Sequence, residues 1–199
     1  MTTFNTEISN MRNPSVVMSA LLAILVLYIS ATPIQANDTK LGGDFELTSH
    51  TGELFKLSDI KGKVGIIFFG FTHCPDVCPN TLLEIQRLFV SLEDQSDHVQ
   101  VLFISVDPKR DTPEILKSYI NYFNKDIIGL TGTEEQIAAV LKQYKGSVSF
   151  SGDTNSNTYN VEHVANMYIL DKEGEIASII LPRTPFAVLE QQVRKLIKQ

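Results

Sequence analysis

An α/β fold, a sheet with helices packed on both of its faces, is what this sequence predicts, and three observations predict it. A uniformly apolar run, Val64 to Phe71, reads as a strand covered on both sides. Apolar strand-like runs then alternate with segments of helical period as far as about Tyr144. The last part of the chain changes pattern to a hairpin followed by an amphipathic helix.

The elements follow in order. Phe45 to Ile60 reads as a small β-hairpin with His50-Thr51-Gly52 as turn material, and Val64 to Phe71 as the central strand. Pro79 opens a helix whose buried face is Leu82, Ile85, Leu88, Phe89 and Leu92. Val99 to Val106 is a second buried strand. Thr112 as N-cap and Pro113 as first helical residue start a helix that runs to about Phe123. Ile127 to Leu130 is a short strand, and Thr133-Glu134-Glu135-Gln136 is a capping box opening a helix to about Tyr144. Ser151 to Asn160 is polar and reads as a mobile loop. Asn166 to Leu170 and Glu175 to Leu181 form a hairpin about Asp171-Lys172-Glu173-Gly174, and Phe186, Leu189, Val193, Leu196 and Ile197 mark the core face of a final helix.

Composition is that of an ordinary globular protein: 43% hydrophobic, 20% charged, with a formal charge of -6. Mild acidity without clustered Lys and Arg argues against a nucleic-acid surface. Near the N-terminus Val16 to Ala31 carries no charge, and Arg12 precedes it. A spanning helix takes about 20 apolar residues and about 17 at the least, so this run is at the limit. A retained membrane anchor and a signal peptide cleaved after Ala36 both fit. Arg12 keeps the short tail on the cytoplasmic side in either case, and places the rest outside the cytoplasm. The expected organisation is therefore residues 1–36 as tail plus membrane segment and 37–199 as one domain.

The chemistry concentrates in Thr72-His73-Cys74-Pro75-Asp76-Val77-Cys78-Pro79, which holds both cysteines of the chain. They lie where the central strand gives way to a helix. A helix start lowers thiol pKa values, and four helical residues advance about 6 Å, a separation that suits a disulfide or a shared metal ion. So short a loop gains little from a purely stabilising disulfide. Metal binding, redox cycling, or both remain. Two thiolates suit Cu(I), whereas zinc takes four ligands and the chain has no second cysteine pair. A third ligand would come from the four histidines. His50 and His98 are expected to be solvated, and the side chain of His73 to point away from the sulfurs. His163, at the edge of the polar loop, would by itself be read more often as structural than as a ligand, and the unpartnered dithiol raises it as a candidate. A dithiol at the first strand-to-helix turn with a late antiparallel hairpin describes a thioredoxin-like core, here with an extra N-terminal hairpin and an inserted loop.

These residues resemble the Sco (SenC) family of copper-binding, thioredoxin-fold proteins. The resemblance is carried by Gly42 to Leu47, by Phe69 to Pro79, by Phe103 to Pro113 with its Asp107-Pro108-Lys109-Arg110-Asp111-Thr112, and by Gly129 to Thr133. It covers nearly all of residues 38–199. It implies copper ligands at Cys74, Cys78 and His163, holding Cu(I) and also Cu(II), with Cys74 and Cys78 able to cycle as a dithiol and disulfide. The family typically reads Asp-His-Ser where this chain has Glu162-His163-Val164. Asp76 and Asp107 to Asp111 match positions near the family's site, where turn and cap chemistry is as good a reading as partner binding. The resemblance further implies a metallochaperone tethered to the bacterial inner membrane and facing the periplasm, or soluble there after cleavage near Ala36. Its partners would be subunit II of cytochrome c oxidase or another copper acceptor, and a thiol reductant. The alternative is an extracytoplasmic thiol-disulfide oxidoreductase or a copper or redox sensor.

Overall fold

The structure is a computed structural model that describes residues 40–156 and 158–199. Both readings of Val16 to Ala31 lie outside the described residues. Among the described residues no helix is long and apolar enough to cross a membrane.

A seven-stranded sheet forms the centre. The first hairpin pairs β1 (Glu46–Ser49) with β2 (Leu54–Lys56), and its last four residues, Leu57–Ile60, are a 3-10 turn rather than strand. The central strand, β3 (Val64–Gly70), is buried at every position. It is followed by helix α1 (Val77–Leu92), strand β4 (Val99–Ser105), helix α2 (Pro113–Phe123), strand β5 (Ile128–Thr131) and helix α3 (Glu134–Gln143). Strands β8 (Met167–Leu170) and β9 (Ile176–Ile180) and helix α4 (Phe186–Ile197) complete the domain. Strand order is β2-β1-β5-β4-β3-β8-β9, with β3, β4 and β5 parallel and the others added antiparallel.

Strand β3 is uniformly apolar because successive side chains face opposite layers and both layers are filled. Phe68 meets Phe103 at 5.9 Å, which meets Tyr119 of α2 at 5.7 Å. Phe69 faces the other way, 5.9 Å from both Tyr144, just past α3, and Tyr168 of β8. Helix α1 packs against α2 and α4 with Cys78, Leu82, Ile85, Leu88 and Leu92 buried. The caps form as the sequence predicts. Thr112 accepts from the Ile115 amide, and Thr133 and Gln136 make a reciprocal capping box.

A larger difference from the sequence reading lies in the segment before β8. The inserted polar stretch is the tip of a second hairpin, β6 (Val148–Ser151) and β7 (Asn160–His163), which forms a two-stranded sheet of its own. His163 is therefore a strand residue, directly across from Val148. Its two strands are mostly exposed, so no apolar run marks them.

Candidate metal centre

Strand β3 delivers the first half of the site. It ends at Gly70, where a Cβ would stand 2.6 Å from Phe103 Cε2 and 3.0 Å from Cys78 Sγ. Only glycine leaves the sulfur that space. The chain then turns through Phe71, whose carbonyl accepts from the Cys74 amide at 3.2 Å. Cys78, the second residue of α1, is fully buried, and Cys74 is half-buried. Both thiols are free. The Cys78 amide points at Cys74 Sγ, 3.5 Å away, so a sulfur occupies the place of a helix cap.

This arrangement splits the two thiols. The Cys78 thiol donates to Cys74, and with help from the Asp76 and Cys78 amides this pulls Cys74 down to about 5. The same hydrogen bond, together with burial, pushes Cys78 up. Of the reduced pair Cys74 is thus the more acidic thiol and Cys78 the less acidic one.

The second half arrives from β7. His163 Nε2 stands 3.7 Å from Cys78 Sγ, and the three candidate ligand atoms lie within 4.8 Å of one another. His163 Nδ1 is 3.1 Å from the Val164 carbonyl, and a proton there leaves the Nε2 lone pair turned toward the sulfurs. A backbone carbonyl makes this contact, so Val164 in place of a serine does not remove it. The ring also meets Phe71 edge to face at 5.7 Å.

His73 stays outside the cluster, as expected, with Nδ1 3.1 Å from Thr72 Oγ1 and 3.9 Å from Asp111. His98 is exposed. His50 departs from expectation. It is half-buried, its Nδ1 accepts from the Gly129 amide at 3.1 Å, and burial pulls its pKa down.

A family model described as SCO1/SenC matches residues 34–198. The chain belongs to the SCO1/SenC family. The SCO2-like protein of Rickettsia felis is 34% identical over 196 residues, covering 92% of this chain and 96% of its own. The structure of Bradyrhizobium japonicum ScoI with copper bound is 35% identical with a TM-score of 0.72, over 78% of this chain and 99% of that one. BsSco, a member of the Sco family of cytochrome c oxidase assembly proteins in which a disulfide switch is identified, is 22% identical with a TM-score of 0.63 over 80% of this chain and 94% of its own. At that distance it speaks for the shared thioredoxin-like fold.

The loop between β4 and α2, read from sequence as turn and cap chemistry or a partner surface, binds both halves of this SCO1/SenC site. Asp111 is fully buried and accepts from the Thr72 amide at 3.0 Å, Thr72 Oγ1 at 2.6 Å and Ser105 Oγ at 2.6 Å. It fixes the segment just before Cys74, although burial pushes its carboxyl above the usual range. Asp107 and Arg110 reach the other way, to Tyr159 beside β7. Asp76 behaves as a local turn residue, accepting from Asn80 at 2.7 Å. Tyr159 escaped the sequence reading. Its signal was a lone aromatic in the polar run Ser151 to Asn160.

Proposed function

We propose that this protein is a copper metallochaperone in which Cys74, Cys78 and His163 hold the ion. The observation that carries the proposal is the 3.7 Å span between Cys78 Sγ and His163 Nε2. Bonds of about 2.3 Å to sulfur and 2.0 Å to nitrogen, lengths typical of a filled-shell ion, give a span of about 3.7 Å at trigonal angles. Two sulfurs and one imidazole make a soft set that suits Cu(I), and among the described residues no further histidine, cysteine or acidic group joins them to complete a zinc tetrahedron. Copper bound in a SCO1/SenC relative supports the same assignment.

The acceptor in this reading is the dinuclear copper site of cytochrome c oxidase subunit II. The domain faces the periplasm, tethered to the bacterial inner membrane through Val16 to Ala31. A three-ligand site suits hand-over, because an incoming ligand can displace the imidazole before the sulfurs release the ion. The test is titration of the reduced protein with Cu(I), and separately with Cu(II), against a competing chelator. His163→Ala is expected to lose more than the roughly 10–100-fold that removing an outer-shell partner costs. Affinity equal to the parent's for both ions ends the three-ligand reading.

One observation favours a second reading, reduction of the acceptor's cysteines. Cys74 is an accessible, acidified thiol backed by a buried one, the asymmetry of an attacking and a resolving sulfur. Oxidase assembly in cells separates the two. If His163→Ala sustains it while Cys74→Ser abolishes it, reductase action is the better description.

A further inference from the structure

The β6-β7 hairpin has a mechanical problem. A two-stranded sheet on its own is at best marginally stable in water. This one joins no other sheet, its strands are mostly exposed and meet the core through half-buried Val148 and Val161, and yet it presents His163 to a buried sulfur. Two half-buried valines give contact but little direction, which directional polar ties can supply.

The candidate is a small polar cluster. Arg110 Nε donates to Asp107 Oδ2 at 2.5 Å, and Tyr159 Oη donates to Asp107 Oδ1. Arg110 Nη1 donates to the Tyr159 carbonyl at 3.2 Å, one residue before β7 begins and four before His163. The guanidinium also lies 3.7 Å from the Tyr159 ring and 5.9 Å from the ring of Phe71. Phe71 in turn contacts His163 and accepts from the Cys74 amide. Lys109 adds a tie to the Thr154 carbonyl at the hairpin tip. All of this springs from the loop after β4, which the β3-β4 ladder holds in register with the cysteine-bearing turn.

Asp107 is 1% and Arg110 9% exposed. A buried ion pair adds little net stability compared with a packed apolar replacement. What it supplies is direction, through the rigid fork of arginine. We propose that Asp107, Arg110 and Tyr159 are positioning residues that set the distance from His163 to the two sulfurs, and so set how tightly copper is held. This inference rests on the copper reading above.

The experiment is a double-mutant cycle on Cu(I) affinity, measured against a competing chelator. Tyr159→Phe deletes one hydroxyl and keeps the ring over the guanidinium. It is expected to weaken binding by about tenfold, the low end for loss of an outer-shell partner. In a His163→Ala background the same change is expected to do nothing, because there is no imidazole left to aim. Asp107→Asn, which keeps shape and loses charge, should behave alike. In the copper-free protein the nuclear Overhauser contact between the Phe71 and His163 rings should weaken with Tyr159→Phe. Equal weakening in both backgrounds, or no weakening in the parent, overturns the clamp and leaves the copper reading standing. A His163→Ala protein that binds like the parent overturns the three-ligand copper reading, and the positioning role with it.

Discussion

The two halves of the metal centre are held by different physics. The sulfurs sit where the fully buried strand β3 gives way to α1. Every residue of β3 is buried, Cys78 is fully buried, and even Gly70 is shaped around its sulfur. The imidazole sits on the β6-β7 hairpin, whose mostly exposed strands touch the core through Val148 and Val161 and are tied to the loop after β4 by a few polar bonds. Dense burial fixes one half, and a thinner apolar contact together with hydrogen bonds aims the other. The difference teaches why such a site can both grip and release. Local opening draws on the regions with few buried apolar contacts, so the imidazole half can leave while the dithiol stays in place.

That contrast can be broken by comparing substitutions across it. The largest effect is expected from Phe68→Ala in the core, a loss of about 3–5 kcal/mol, whereas Phe150→Ala on the hairpin should stay within about 0.5 kcal/mol. Phe68 is fully buried and Phe150 is 45% exposed. Urea unfolding of both variants measures the gap, and comparable losses would mean the hairpin is part of the core. Gly70→Ala comes next, at about 1–3 kcal/mol for overpacking against Phe103 and Cys78. It should also displace the Cys78 sulfur and weaken copper binding, which a volume-tolerant site would not show.

The smallest effect is expected from pH, because Cys74 is half exposed and solvent screens much of its interaction. Its pKa in the fold is about 5, below the ordinary 9.0. A lowered value favours the folded, ionised form. The contribution is complete above pH 9 and fades as pH falls through about 5. The reduced parent should therefore gain stability from pH 6 to 8 relative to Cys74→Ser, and parallel pH curves for the two would remove the acidified thiolate from the account.

The core half was legible early because local and global signals agree there. The run Val64 to Phe71 fits a doubly covered strand, Thr112-Pro113 and Thr133 to Gln136 are self-contained caps, and two cysteines at a strand end announce chemistry. The hairpin half was not. Val148 to Ser151 and Asn160 to His163 are short and mostly exposed, and what pairs them is contact with each other. His50 looked like a solvated turn residue because its partner, the Gly129 amide, lies on a strand far along the chain.

The amino-acid order alone determined the layered α/β core, the dithiol at its strand-to-helix turn and, through its motifs, a resemblance that singled out His163. These depend on periodicity, capping and residue type, which act over a few neighbours. Only the tertiary structure decided that the imidazole comes within 3.7 Å of Cys78, that Cys74 is the more acidic of the two thiols, and that Asp107, Arg110 and Tyr159 join the two halves. Those outcomes depend on which distant groups share a desolvated space, and strand pairing sets that space.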